Sequence, residues 1–317
     1  MTEGTIMDFA AARGGVENER PWQAASDDVV ARLRHSREVS HNIRHEGRIR
    51  QLPSSKVVAQ VVEKLAAVLF PTHYGDPTPN PEVIDDYVAF TFADALDQLA
   101  DQVGRDIRAA PQGGDLGMAS AQARTDDILT AFAERLPAIR NLLVSDLRAA
   151  FAGDPAATGY PEIMLGYPGM IATLSYRIAH ALHGLGATLV ARLISQIAHA
   201  RTAIDIHPGA TIGESFFIDH GTGVVIGETA IIGDRVRLYQ AVTLGARSFA
   251  TDETGRLVKG QPRHPIIEDD VVIYAGATIL GRITVGHHSV IGGNVWLTGS
   301  VPPLSRVMQA RAEKSGA

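Results

Sequence analysis

A six-residue spacing of aliphatic side chains marks the last third of the chain. The spaced residues fall in two blocks, Ile206, Ile212, Ile218, Val224, Ala230, Val236 and Val242, then Ile267, Ile273, Ile279, Val285, Ile291 and Leu297. Within the first block the spacing runs without a slip. An α-helix spaces apolar residues by three and four and a strand by two, so neither explains this period. Hexapeptide repeats build a parallel β-helix, whose three sides close one triangular coil of about 18 residues.

Small residues support the same architecture. The segments IGES, IGET, IIGD, TLGA, YAGA, TVGH and IGGN supply the Gly and Ala that tight corners require. The stretch from Ile206 to Ser300 has room for roughly five coils. We predict a left-handed coil, an exception to the right-handed crossover rule, and prefer it to a β-sandwich with accidental periodicity.

The first half of the chain shows helical spacing instead, so we predict an α+β multidomain protein. An N-terminal α-helical domain is followed by a C-terminal left-handed parallel β-helix, with the boundary near Ala203. The predicted parts are a flexible tail at 1–25, the α-helical domain at 26–203, the β-helix domain at 204–303 with a protruding loop at about 247–265, and a C-terminal tail at 304–317.

Composition limits the classes of function. The chain has no cysteine, which excludes disulfides, thiolate metal sites and a cysteine nucleophile. A net charge of -6 argues against a general nucleic-acid or membrane-surface binder. The N-terminus lacks a secretory signal pattern, and no apolar stretch approaches the ~20 residues of a membrane span. We therefore expect a soluble, cytoplasmic protein without nucleic-acid or membrane partners.

Asp205 and His220 are a candidate catalytic pair. They lie fifteen residues apart, slightly less than one coil, which predicts a common edge and plausible contact. A carboxylate that holds an imidazole in one tautomer makes its other nitrogen a good general base. Asp219 and Glu228 flank the pair. The alternative for an isolated histidine is a solvated corner residue.

The break between the two blocks is a candidate binding loop. Val242 and Ile267 are 25 residues apart, where 24 would keep the phase. The loop ends in Arg263-His264-Pro265, and an arginine fork suits a carboxylate. The alternative is a solvated loop with incidental charge.

The pair His287-His288 suggests a metal site, but we predict none. Neighbouring strand residues point to opposite faces, and a catalytic zinc needs three converging ligands.

These motifs together resemble those of the serine acetyltransferases of cysteine biosynthesis, which are hexapeptide-repeat acyltransferases. The resemblance covers roughly residues 140 to 303. The matching segments are GDP at 153–155, YRIAH at 176–180, DIHPGATIG at 205–213, IDHGTGVVIGETA at 218–230, LYQAVTLGA at 238–246, PRHP at 262–265, AGATILG at 275–281 and SVPP at 300–303.

The resemblance implies acetyl transfer from acetyl-CoA to the hydroxyl of L-serine, with acetyl-CoA as cosubstrate and no tightly bound cofactor. The β-helix then becomes the catalytic domain. In the roles that the resemblance implies, His220 is the general base and Asp205 orients it. The substrate-binding residues would be Asp154 and Asp219 for the ammonium group, Arg263 and His264 for the carboxylate, and Glu228 for orientation or charge stabilisation.

The resemblance also implies partners. Acetyl-CoA would lie along the β-helix flank between two subunits, at the corner residues Ala246, Ala275 and Gly293. Sites between subunits imply a homotrimer, and pairing of trimers through the helical domains would give a hexamer. The tail VPPLSRVMQARAEKSGA departs from the family pattern. We therefore expect weak or no complex with O-acetylserine sulfhydrylase through it.

Three other functions stay open at this point. They are acyl transfer to a sugar or antibiotic hydroxyl, a non-catalytic β-helix scaffold, and a zinc-dependent hydratase. Anionic and cationic groups in one set of motifs favour an amino-acid zwitterion over a neutral sugar.

Overall fold

The computed structural model describes residues 21–40, 51–75, 80–110 and 117–309. The chain divides into two compact units, residues 1–50 and 51–317. In the first unit, helix α1 spans Pro21–His35 and continues into a π-helical turn, Ser36–Ser40. Of the predicted N-terminal tail, residues 1–20 lie outside the described ranges and residues 21–25 belong to α1.

In the described part of the second unit, seven α-helices and a short 3-10 helix, Pro81–Val83, precede the strands. The α-helices are α2 (Ser55–Leu69), α3 (Pro71–Tyr74), α4 (Ile84–Ala109), α5 (Met118–Gly153), α6 (Tyr160–Gly166), α7 (Pro168–Leu185) and α8 (Thr188–Thr202). The Ser54 hydroxyl accepts from the Val57 N–H and caps α2. Gly186, in the left-handed region, ends α7 as glycine commonly does.

Packing of α2, α4, α5, α7 and α8 creates the helical core. Its fully buried side chains include Leu65, Leu99, Phe132, Leu143 and Ile178. Among the described residues, no helix is long and apolar enough to cross a membrane.

Fourteen short strands follow in the described chain. They are β1 (Asp205–Ile206), β2 (Thr211–Ile212), β3 (Phe217–Ile218), β4 (Val225–Ile226), β5 (Ile231–Ile232), β6 (Arg237–Leu238), β7 (Thr243–Gly245), β8 (Ile266–Ile267), β9 (Val272–Ile273), β10 (Thr278–Leu280), β11 (Thr284–Val285), β12 (Val290–Ile291), β13 (Trp296–Leu297) and β14 (Arg306–Val307). The last, β14, lies within the predicted C-terminal tail and pairs with β12; residues 310–317 lie outside the described ranges.

The strands form three parallel sheets. Sheet 1 has the order β1-β4-β7-β10-β13, sheet 2 has β2-β5-β8-β11, and sheet 3 has β3-β6-β9-β12-β14. Successive strands pass from sheet 1 to sheet 2 to sheet 3, so each turn of chain is one coil of a left-handed parallel β-helix. The three corners form edges along the helix. We name them the 1–2, 2–3 and 3–1 edges after the sheets they join.

The register corrects one prediction. Ile206 pairs with Ile226, 20 residues on, and Ile226 pairs with Leu244, 18 residues on. The first block of six-residue spacings is therefore not one unbroken column. After Ile218, the six-residue spacing follows a second set of buried residues. This set begins with Val224, which lies two positions before the inward-facing strand residue Ile226.

Two extra residues cause the shift. In the ladder along the 3–1 edge, the Asp219 N–H donates to Leu238 O, and the Ala241 N–H donates to Thr222 O. These bonds align Asp219 with Tyr239 and Thr222 with Gln240. His220 and Gly221 therefore have no aligned residues in the next coil. They form a two-residue insertion that expands the edge without disturbing the aliphatic core.

The second insertion is larger. Ile232 pairs with Ile267, 35 residues on, so one coil carries the long loop at the 1–2 edge. An antiparallel bridge joins Thr251 and Leu257 within this loop. The Asp252 side chain accepts from the Thr254 and Arg256 N–H groups and forms the turn between them.

Candidate active site

His220 stands out from the expanded 3–1 edge. Its backbone has φ of 57°, in the left-handed region, and Gly221 follows with φ of 89°. Non-glycine residues seldom adopt this conformation, which the hydrogen-bonded ladder on either side imposes here. The imidazole is 72% exposed, and its Nε2 lies 3.8 Å from Asp219 Oδ1. An exposed imidazole beside a carboxylate is suited to proton transfer.

Asp205 lies on β1, just after the same edge. Its N–H donates to Val224 O over 2.9 Å. Its Oδ1 is buried and finds no hydrogen-bond partner within the described ranges. Within the described ranges, no hydrogen bond or ion pair joins His220 to the Asp205 carboxylate. The structure thus brings the two residues to one edge without direct contact.

Asp154 caps the C-terminal end of α5 and faces the same region. The Tyr167 hydroxyl donates to its Oδ2 over 2.5 Å, and the Ala156 N–H donates to Oδ1 over 2.8 Å. These hydrogen bonds hold the pKa of Asp154 below its ordinary value, with a smaller contribution from the charge of His220. Asp154 in turn raises the pKa of Tyr167 to about 12.

We call Asp154, Tyr167, Asp219 and His220 the acidic cluster. Asp219 adds to the negative field at Tyr167, and His220 adds to the positive field at Asp154. Sequence reasoning missed Tyr167. Its signal was the Tyr-Pro step at 167–168, which begins α7 and fixes the ring next to the end of α5.

The other predicted substrate-binding residues lie at the 1–2 edge. Arg263 Nη2 donates to Glu228 Oε2, and the Arg263 N–H donates to Thr229 Oγ1 over 2.9 Å. Burial alone would raise the pKa of Glu228, but the hydrogen bond and charge of Arg263 bring it below its ordinary value. Glu228 therefore fixes the direction of the guanidinium.

His264 is buried in the same group. The Thr229 N–H donates to its Nδ1 over 3.1 Å, and the ring packs on Gly227, where a Cβ would overlap it. Burial, with the neighbouring charge of Arg263, lowers the pKa of His264 to about 4. The imidazole is therefore neutral near pH 7, and its proton lies on Nε2. His264 offers an N–H donor, while Arg263 supplies the charge.

His207 extends this group into the first coil and was also missed. Its Nδ1 accepts from the Gly209 N–H over 3.0 Å, and its ring lies 6.0 Å from that of His183. Burial, with the charge of Arg192, lowers its pKa to about 4. The signal was its place in the DIHPG segment, two residues after Asp205.

The two groups lie on different edges, with sheet 1 between them. Within the described residues, no hydrogen bond or ion pair joins the acidic cluster to Arg263 or His264. The structure therefore assembles the predicted site residues into two half-sites rather than one.

The corner residues predicted to bind acetyl-CoA also divide between the 3–1 edge and the 1–2 edge. Ala275 and Gly293 lie in successive coils of the 3–1 edge, where a Cβ on Gly293 would lie 3.2 Å from Ala275 O. Ala246 follows β7 and opens the long loop of the 1–2 edge.

His287 and His288 do not point to opposite faces of a strand, as the sequence pattern predicted. Both residues lie at a corner between β11 and β12, not on a strand, and their rings are 5.2 Å apart. In the described ranges, no three His, Cys, Asp or Glu side chains group as metal ligands would.

The chain is similar in sequence to known proteins. Residues 264–299 match the family model described as bacterial transferase hexapeptide (six repeats). Over 263 residues the chain is 53% identical to "Serine acetyltransferase, plasmid" of Synechococcus elongatus, covering 82% of each protein.

Solved structures give the same result. Serine acetyltransferase 1 of Entamoeba histolytica, in complex with L-cysteine, aligns with TM-score 0.69 and 36% identity, over 89% of this chain and 99% of that one. Serine acetyltransferase of Brucella abortus, in complex with coenzyme A, aligns with TM-score 0.52 and 30% identity, over 80% and 94% of the two chains.

Proposed function

Since the chain belongs to the serine acetyltransferase family, we propose that it transfers the acetyl group of acetyl-CoA to the hydroxyl of L-serine, giving O-acetylserine and CoA. One observation carries this proposal. It is the exposed His220 imidazole, presented by an expanded coil edge beside the carboxylates of Asp154 and Asp219. A base next to an ammonium-binding pocket is what an amino-acid hydroxyl requires.

His220 acts as the general base. It takes the proton of the serine hydroxyl as the oxygen attacks the thioester carbon, and later returns that proton to the departing CoA thiolate. General-base catalysis supplies about 10²–10⁴-fold in rate. The buried, unpartnered Oδ1 of Asp205 supports its role as the group that orients the imidazole when substrate is bound.

The two half-sites fit the two ends of serine. Asp154 and Asp219 hold the ammonium group, and Arg263 with the neutral His264 holds the carboxylate. Because these pairs lie on different edges of one chain, the 1–2 edge of a second copy completes the site at the 3–1 edge of the first.

A homotrimer provides this arrangement around all three copies. Outward-facing apolar side chains support it, since Val225 on sheet 1 and Ile231 on sheet 2 are each 39% exposed and Trp296 is 70% exposed. Pairing of trimers through the helical domains would give a hexamer.

Acetyl-CoA is the cosubstrate and lies along the 3–1 edge. The small residues Ala275 and Gly293 let its pantetheine arm approach the backbone, and Ala246 of the neighbouring copy faces it. The coenzyme A complex of the Brucella relative supports this cosubstrate. No tightly bound cofactor is needed for the chemistry, and the weak or missing tail-dependent complex with O-acetylserine sulfhydrylase remains a prediction.

The test is release of CoA from acetyl-CoA in the presence of L-serine. The wild type is compared with His220→Ala and with His288→Ala, which removes an exposed histidine from the 2–3 edge. We expect serine-dependent release in the wild type and in His288→Ala, and a loss of about 10²-fold or more in His220→Ala. Wild-type turnover of another hydroxyl acceptor but not of serine would overturn the proposal.

A further inference from the structure

Gln240 lies one layer above the expanded edge that carries His220. The ladder aligns it with Thr222, two residues after His220, and the Gly276 N–H donates to Gln240 O over 3.0 Å. Neighbouring strands of a sheet are about 4.8 Å apart, so Gln240 stands one layer from Thr222. In the next two coils, the residues aligned with Gln240 are Ala275 and Gly293. Gln240 therefore lies between the proposed base and the proposed course of the pantetheine arm.

The amide of Gln240 has an unusual environment. Its Oε1 is buried without a hydrogen-bond partner, a condition it shares with only Asp205 Oδ1 among the described side chains. Neither end of this amide bonds to a side chain or backbone group within the described ranges. Buried polar groups are nearly always paired, and an orphan needs an explanation. The other orphan belongs to the residue proposed to orient the base.

Two backbone donors next to Gln240 are engaged in the ladder. The Ala241 N–H donates to Thr222 O over 2.8 Å, and the Gly276 N–H donates to Gln240 O. The stacked rings of Tyr239 and Tyr274, 5.0 Å apart and nearly parallel, restrict the chain on the N-terminal side of Gln240. The Gln240 side chain thus extends from a restrained stretch of backbone, and its amide N–H groups have no acceptor within the described ranges.

Acetyl transfer needs a hydrogen-bond donor to the carbonyl oxygen of the thioester. When the serine oxygen bonds to the thioester carbon, the hydroxyl proton passes to His220 and the carbonyl π electrons move to the carbonyl oxygen. When the intermediate collapses, the carbonyl re-forms, the C–S bond breaks, and the CoA thiolate takes the proton from His220. Between these steps the oxygen carries a full negative charge, and asparagine and glutamine amides are established donors to such oxyanions.

Resting on the proposed function, we propose that the Gln240 side chain is a catalytic residue whose Nε2–H donates to the oxyanion of the tetrahedral intermediate. In that role the donor interacts with charge that develops only during the reaction. Its loss therefore lowers kcat more than it raises the KM for either substrate. The unpaired Oε1 is a stability cost retained for this activity.

The experiment compares Gln240→Met with the wild type and with Gln196→Met, an exposed glutamine of α8. Methionine keeps the length of the side chain and removes both polar ends. We expect kcat for serine acetylation to fall about 10²–10³-fold, with KM values within a few-fold of the wild type. Thermal unfolding should occur at the same or a higher temperature, because an unsatisfied acceptor is gone. Gln196→Met should match the wild type in both measurements.

A role in packing would give the opposite pattern. Unchanged kcat in a folded Gln240→Met protein would overturn the proposal and indicate backbone N–H groups as the oxyanion donors. A kcat loss that tracks a lower unfolding temperature would overturn it too. If methionine prevents folding, Gln240→Glu provides the same test, because its carboxylate repels the oxyanion and should lower kcat further still. The wild-type arm tests the serine reaction by itself, so failure of the proposed function is seen separately.

Discussion

Arg177 and Asp146 form a buried ion pair that joins α7 and α5 to the first coil. Two guanidinium nitrogens lie 3.1 and 3.2 Å from the Asp146 oxygens. The carboxylate also accepts from the Phe216 N–H over 2.8 Å, and Arg177 donates to Ile212 O over 2.6 Å. Because α5 ends at Asp154 and α7 begins beside Tyr167, this pair sets the position of the acidic cluster relative to β3.

Breaking this pair should be costly. Arg177→Met leaves the Asp146 charge buried and unpaired, and we expect the free energy of unfolding to fall by about 3–5 kcal/mol. Urea unfolding measures it. The matched control is Arg105→Met, which removes the exposed i,i+4 pair with Asp101 and should cost less than about 1 kcal/mol. Equal losses in the two variants would contradict a structural role for the buried pair.

Gly169 should tolerate no side chain. It lies at the start of α7 against β3, and a Cβ there would overlap the carbonyl of Ile218. Backbone cannot rotate away, so Gly169→Ala should destabilise the protein by about 1–3 kcal/mol and lower kcat/KM by displacing Asp219. Gly166→Ala is the control, because a Cβ there meets nothing within 4 Å. Stability and activity measured on both variants should separate them; similar behaviour would contradict the close approach.

Tyr167→Phe should change the pH dependence of serine binding. The Tyr167 hydrogen bond is the main cause of the low pKa of Asp154. Without it, that pKa rises, and the carboxylate becomes protonated at a higher pH. The acidic limb of the kcat/KM profile for serine should therefore move to higher pH, with little change where Asp154 is ionised in both proteins. Tyr160→Phe, an exposed tyrosine of α6, should leave the profile in place. A Tyr167→Phe profile that superimposes on the wild type would refute this assignment.

His264 should make the fold sensitive to mild acid. Its pKa is about 4 in the folded protein and about 6.5 in an unfolded chain. Between these pH values the unfolded chain binds more protons than the folded protein. The stabilising contribution of the neutral His264 is therefore complete above about pH 6.5 and is lost as the pH falls toward 4. The slope from this group is at most about 1.4 kcal/mol per pH unit. Arg263, Glu228 and Arg282 are the charged groups that act on it.

The measurement is urea unfolding at a series of pH values. His264→Gln should show a shallower decline than the wild type on acidification, while His199→Gln, on the exposed face of α8, should follow the wild type. His207, whose pKa burial also lowers to about 4, and His183, whose pKa burial also lowers, contribute to the decline that remains. A wild-type stability that stays flat through this range would contradict the prediction.

The period of six predicted the β-helix but not its register, and the reason is geometric. Residues two apart on a strand share a face, so Ile226 and Val224 both point inward and both are buried. A two-residue insertion moves the spacing from one inward column to the other. The insertion of His220 and Gly221 therefore does not show in the aliphatic pattern, although it carries the proposed general base.

The motifs named the candidate site residues, but they did not predict how these residues divide between two edges. That division depends on coil lengths of 20, 18 and 35 residues, which the ladder pairings define. The low pKa of His264 also depends on its burial against Gly227 and Thr229, which no linear pattern records. Tyr167 needed the three-dimensional approach of α7 to the end of α5.

The interior and the corners of the coils constrain the sequence in different ways. Interior positions of the coils mainly need aliphatic volume, while the proposed base and the proposed carboxylate-binding residues lie at corners. Substitutions such as Ile226→Val or Ile279→Val should shift the melting temperature and leave acceptor preference unchanged. Replacements of exposed corner residues such as His220 should do the reverse. New acceptor specificities can therefore be sought by varying a few corner residues on an unaltered frame.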